Sequence, residues 1–198
     1  MLLSTPQKLL ILFLIVSVTC VAQAPVSTRE RAIAFSIDID APLDSAWARW
    51  TTASGRAKFF APSSKLELST LGFMEILFSP DAPEGQRGAE NNRVLAVQEK
   101  KMLSFTWDAP PTFPEIRKHR TVVIIRFYPL AEKKTRVTLH QLGWGTGSDW
   151  DTVYGYFQAA WSTFVLPNLK YSLEVKPVDW TNFPNNAPKG LKPAVAID

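Results

Sequence analysis

The stretch that decides the fold is residues 148–174, "SDWDTVYGYFQAAWSTFVLPNLKYSLE". Trp150, Tyr154, Phe157, Trp161, Val165, Leu169 and Leu173 recur at intervals of three or four. That spacing lays one apolar, ring-bearing stripe along a helix. Ser148 with Asp151 predicts a capping box, and Asp149 adds favourable charge at the positive helix end. Pro167 lies inside the stripe. It lacks an N–H and crowds the carbonyl of Thr163, so a kink is expected there.

A stripe of rings needs an opposing wall, and the segments before it supply one. "MLSFTWDA" places Leu103, Phe105 and Trp107 on one face and Ser104, Thr106 and Asp108 on the other. Met74, Ile76 and Phe78 oppose Glu75. Val123, Ile125 and Phe127 oppose Arg126, and Val137 and Leu139 oppose Arg136, Thr138 and His140. Turn chemistry separates "KLELST", "GFMEILFS", "NRVLAVQE", "MLSFTWDA", "HRTVVIIRFYPL" and "TRVTLHQLGW". With "IAFSIDID" from Ile33, these make an antiparallel sheet of about seven strands. "APLDSAWARWTTA" reads as a helix broken at Gly55, and "RAKFF" as a second short one. Strands set between segregated helices indicate an α+β fold.

The ends differ in character. Residues 1–24 hold Lys8, the apolar run Leu9–Val18 and an A-x-A end, the plan of a secretory signal peptide. Cleavage after Ala24 makes the protein exported, periplasmic or secreted, with no membrane span left. The rival readings are a lipoprotein anchored through Cys20 and an uncleaved anchor. Residues 25–32 form a lead and 33–174 the domain. Residues 175–198, rich in proline, form an extended tail that Trp180 and Phe183 pin to the domain.

Cys20 is the chain's one cysteine, so cleavage leaves no disulfide and no thiol chemistry. The 22 basic residues against 18 acidic ones are scattered rather than gathered on one face, which argues against a nucleic-acid partner. No H-x-x-x-H, G-x-S-x-G or G-x-x-x-x-G-K motif occurs, so no metal, cofactor or catalytic residue is assigned. His119 and His140 read as surface residues. "GWGTG", residues 143–147, reads as a turn, because Asp149 and Asp151 would repel a phosphate. The polar groups closest to the expected apolar layer are Tyr154, Gln141, Asp108 and Glu75. Gln141 continues the apolar side of its strand, and the Tyr154 hydroxyl needs a partner.

"APLDSAWARWTT", "KFFAP", "LSFTWDAPP", "RVTLHQLGWGTG" and "AAWSTFVLPNL", in this order, resemble the START-like (SRPBCC) helix-grip superfamily. The branch is the one named after the activator of the heat-shock protein 90 ATPase. This chain departs from the usual pattern at Phe59, Leu71-Gly72 and Glu99-Lys100-Lys101. The resemblance implies a seven-stranded sheet gripping the C-terminal helix, with two short helices after the first strand and a mostly hydrophobic pocket between sheet and helix. Matched pocket positions are Trp50, Phe59, Phe60, Met74, Phe78, Phe105, Trp107, Trp144, Tyr154, Phe157 and Trp161, with Gln141 as a polar anchor and "APPTFPEI" at the mouth. The function expected is binding of a small hydrophobic ligand, lipid-like or aromatic, with any protein partner unknown. The alternatives are a cyclase- or hydrolase-like enzyme on the same scaffold and a chaperone-partner module.

Overall fold

A computed structural model describes residues 30–198. The proposed signal segment and most of the lead lie outside the described residues. Strand β1 (Ile33–Ile39) leads into helices α1 (Leu43–Thr51) and α2 (Ala53–Arg56). Strands β2 (Ser63–Leu66), β3 (Phe73–Leu77), β4 (Gly88–Gln98) and β5 (Met102–Trp107) follow. After the short helix α3 (Pro114–Arg117) come β6 (Thr121–Ala131) and β7 (Lys134–Leu142). The long helix starts as α4 (Ser148–Ala159), widens to a π-helical segment at Ala160–Val165 and ends as α5 (Leu166–Glu174). A two-residue strand, β8 (Val195–Ala196), closes the chain.

The strands form one antiparallel sheet in the order β2-β3-β4-β5-β6-β7-β1-β8. This is the helix-grip arrangement, with eight strands rather than seven. The extra strand comes from the tail: Ala196 sits opposite Phe35 and Val195 opposite Ser36. Strand alternation sets the core. Ile33, Phe35, Ile37 and Ile39 of β1, Leu103, Phe105 and Trp107 of β5, Val123, Ile125 and Phe127 of β6, and Val137 and Leu139 of β7 are all buried. Phe157, Trp161, Val165 and Leu169 of the long helix are buried in the same cluster. The stripe and the sheet therefore face each other.

Several local expectations change. Gly55 does not end the first helix; it lies inside α2, where Thr52 Oγ1 accepts its N–H at 2.9 Å. "RAKFF" is mostly turn, because the second helix is already complete at Arg56. Arg56 is fully buried, donating to the Trp50 carbonyl and to Ser64 Oγ, each at 3.0 Å. Burial pulls its pKa down to about 10, so it stays charged at neutral pH. The predicted capping box does not form. Gly147 is the N-cap, with no side-chain cap bond, and Asp151 instead pairs with Arg31 at 2.5 Å. Strand β2 uses "SSKL" rather than "KLELST", and β4 begins at Gly88, ahead of "NRVLAVQE".

The expected disturbance at Pro167 is a π-helical widening just before it rather than a simple kink. In the widened turn Leu166 N–H reaches back five residues to the Trp161 carbonyl. The next donor in that register would be residue 167, which as proline has none. The Ser162 carbonyl is thereby left over, and the N–H of Ala194 in the tail fills it at 2.8 Å. Trp180 and Phe183 do meet the domain: both rings pack on Phe164, at 6.4 and 5.7 Å between centroids.

Candidate functional site

A cavity of about 330 Å³ opens between the long helix and the ends of β3 and β5. Phe60 follows α2, Phe78 follows β3, and Trp107 ends β5. The helix contributes Tyr156, Phe157, Ala160, Trp161, Phe164 and Val165. No lining side chain carries a formal charge. Trp107 stacks on Phe60 at 5.8 Å and meets Trp161 at 5.4 Å, and Phe157 stacks on Trp161 at 6.3 Å. These rings are buried, whereas Phe78 is 44 % exposed and Tyr156 51 % exposed, so these two flank the open mouth.

The helix turns two rows of side chains to this space. Phe157, Trp161, Val165 and Leu169 are spaced by four, and each step of four overshoots a 3.6-residue turn by roughly 40°. The π segment takes up part of that drift. It keeps this row on the sheet while Tyr156, Ala160 and Phe164, one residue earlier, border the cavity.

A hydrogen-bonded chain fixes the two tryptophans. Trp161 Nε1 donates to Gln141 Oε1 at 2.6 Å, and Gln141 Nε2 donates to Thr121 Oγ1 at 2.8 Å. Thr121 Oγ1 in turn donates to the Trp107 carbonyl at 3.0 Å. Gln141 is fully buried, and both ends of its amide are spent on this chain. It anchors the wall of the cavity.

Beside the mouth a second cavity of about 70 Å³ shares Phe78, Trp107, Tyr156 and Phe157 with the first. Gly88 and Ala89 of β4, with Asp108, Ala109, Pro110, Pro111 and Arg117, complete its lining, which brings the start of "APPTFPEI" to the rim. Arg117 bridges Asp108 at 2.8 Å and Glu90 at 3.4 Å, donates to the Gly88 carbonyl at 2.7 Å and also bonds the Ala109 carbonyl. Asn92 Nδ2 donates to Asp108 at 2.9 Å. Burial pushes the Asp108 carboxyl up, against the opposing pull of Asn92 and Arg117. Burial would raise Glu90 too, but the bond from Arg87 at 2.6 Å and the backbone N–H groups of Gly85 and Arg87 outweigh it and hold Glu90 low. Both carboxylates thus have their donors within the protein.

Of the sequence-derived positions, Phe60, Phe78, Trp107, Phe157 and Trp161 line the main cavity. Trp50, Phe59, Met74 and Phe105 are fully buried behind it, with Trp50 edge-on to Phe59 and Phe60 at 5.2 and 5.5 Å. Trp144 and Tyr154 pack on each other at 5.0 Å beyond Phe157, away from the opening. The Tyr154 hydroxyl donates to the Ala32 carbonyl at 2.8 Å, and the Arg31 guanidinium covers its ring. Glu75 accepts the N–H of Asn91 at 2.9 Å. Tyr156, Ala160 and Phe164 lie outside the main stripe, and their own spacing of four beside it is the one signal in the sequence that marks them. Among the described residues no cluster of potential metal ligands occurs.

A family model described as "Activator of Hsp90 ATPase homolog 1-like protein" matches residues 40–174. The chain belongs to this family. Its solved neighbours share the fold at low identity. The protein MLL2253 from Mesorhizobium loti is 21 % identical over 73 % of this chain and 94 % of its own, with a TM-score of 0.55. The Aha1 dimer from Colwellia psychrerythraea is 17 % identical over 73 % and 97 %, with a TM-score of 0.54. PFC0360w, an HSP90 activator from Plasmodium falciparum, is 14 % identical over 71 % and 96 %, with a TM-score of 0.51. No curated protein matches the chain. The match ends at residue 174, so the tail that completes the sheet lies beyond it.

Proposed function

We propose that this Hsp90-activator-like domain binds a small, uncharged hydrophobic ligand in the cavity between sheet and helix. The observation that carries this reading is the lining. Buried rings surround about 330 Å³ of space, and two exposed aromatics stand at its opening. Space walled by apolar groups holds water poorly and takes apolar molecules. The carboxylates nearest the mouth are already paired, which favours binding over acid–base chemistry. The signal-like segment 1–24 supports a carrier acting outside the cytoplasm, and the N-terminal mass of the protein recovered from its native host tests that part.

The binding reading is tested with N-phenyl-1-naphthylamine, a neutral dye that brightens in apolar sites. The wild-type chain saturates with the dye. Ala160→Phe places a phenyl ring in the open space and weakens dye binding by roughly tenfold or more, since filling a pocket acts on that scale. Unchanged dye binding in a folded Ala160→Phe variant places the dye elsewhere and defeats the assignment.

A second reading, a partner of a chaperone ATPase, is favoured by the family itself and by a solved neighbour described as an HSP90 activator. Stimulation of such an ATPase by the purified protein is its test.

A further inference from the structure

The tail beyond residue 174 touches the cavity walls from behind, at two places. On one side Val178 N–H donates to the Lys58 carbonyl at 2.9 Å, and Trp180 Nε1 donates to the Ala57 carbonyl at 2.5 Å. These carbonyls belong to the turn that ends at Phe60, a cavity wall. On the other side Trp180 and Phe183 pack on Phe164, a second wall, and on each other at 5.0 Å. Farther along, Ala194 holds the Ser162 carbonyl that Pro167 leaves free, and Ile197 N–H donates to the Ala34 carbonyl at 3.1 Å. The tail is thus fastened on both sides of the Phe164 contact.

Phe164 is half-buried, with the cavity on one face and the tail rings on the other. It sits in the π-helical segment, where the backbone is already widened. Trp180 and Phe183 close off the side of the ring away from the cavity. With both in place, it is held inward.

We propose that Trp180, with Phe183, is a positioning residue for the ligand site: it fixes Phe164 and so sets the size of ligand the cavity accepts. This rests on the binding reading above. It adds that selectivity is set by a segment outside the residues the family model matches.

The test uses the full chain and two neutral dyes of different size, 1-aminonaphthalene and 1-aminopyrene. Trp180→Ala shifts the ratio of their affinities toward the larger dye by roughly tenfold, the scale on which pocket size discriminates. Trp180→Phe keeps a ring against Phe164 and restores most of the wild-type ratio. A tail that only adds stability would lower the melting temperature of Trp180→Ala and leave the ratio unchanged, which overturns the proposal. A second measurement needs no ligand. Hydrogen exchange at the amides of residues 161–166 rises roughly tenfold in Trp180→Ala, while the amides of β6 stay protected. Unchanged exchange at 161–166 overturns the proposal even if neither dye binds. Failure of the wild type to bind either dye defeats the binding reading instead. If Trp180→Ala does not fold, Phe183→Ala removes the other ring behind Phe164 and is read the same way.

Discussion

At the scale of single residues, Gln141 shows how a polar group can hold the walls of an apolar cavity from outside it. Its amide accepts from the Trp161 indole and donates to Thr121, which in turn holds the Trp107 backbone. All of this is buried. Gln141→Leu keeps the volume but strands the Trp161 N–H in an apolar setting. An unsatisfied buried donor costs about 1–3 kcal/mol. The expected result is a lower urea midpoint with an unchanged slope, and a melting temperature down by roughly 2–12 °C, at 2–4 °C per kcal/mol for a domain of this size. An unchanged midpoint would show that the chain of bonds contributes nothing. The spacing that put Gln141 on the apolar side of β7 was legible in the sequence; its partner was not, because Trp161 is 20 residues away on another element.

At the scale of elements, the sequence showed periods clearly and junctions poorly. Strand faces and the helical stripe follow from local spacing, and the sheet and helix agree with them. The misread places depend on chain segments meeting. Strand β4 starts early at Gly88, whose backbone passes so close to β3 that a side chain there would overlap the Ile76 carbonyl. Asp151 turns away from capping because Arg31 reaches it. Strand β8 exists only because β1 offers a free edge. The cavity was half legible for a similar reason: the main stripe was visible, but the row beside it becomes a wall only where the helix meets the open space beside Phe60 and Trp107. Register itself is testable through Asp38 and Arg136, which lie directly opposite on β1 and β7 and pair at 2.6 Å. The hydrogen bond from Arg136 is the largest influence on Asp38 and leaves its carboxyl below the ordinary value of 3.8. A group lowered in the folded state stabilises above its unfolded pKa and loses that contribution as pH falls through the folded one. The wild type should therefore lose stability below about pH 4 more steeply than Asp38→Asn, as read from melting temperatures between neutral pH and about pH 2. Parallel profiles would mean the pair does not form across the strands.

At the scale of the whole molecule, the proposed ligand site and the stability of the fold are linked. The cavity lies inside the same layer of rings that holds the helix to the sheet, so a molecule that fills it binds the folded state alone. At a hundredfold excess over its dissociation constant such a ligand adds about 2.7 kcal/mol. For a domain of this size that raises the melting temperature by roughly 5–11 °C. The lining is uncharged, so the shift produced by a neutral dye should be the same at low and high salt. Binding through the scattered surface charges would instead weaken as the Debye length shrinks from about 30 Å at 0.01 M to 3 Å at 1 M. Calorimetry should also give a negative heat-capacity change on binding, the mark of apolar surface leaving water. A salt-dependent shift, or binding with no change in heat capacity, would place the dye on the outside of the protein and leave the interior as packing alone.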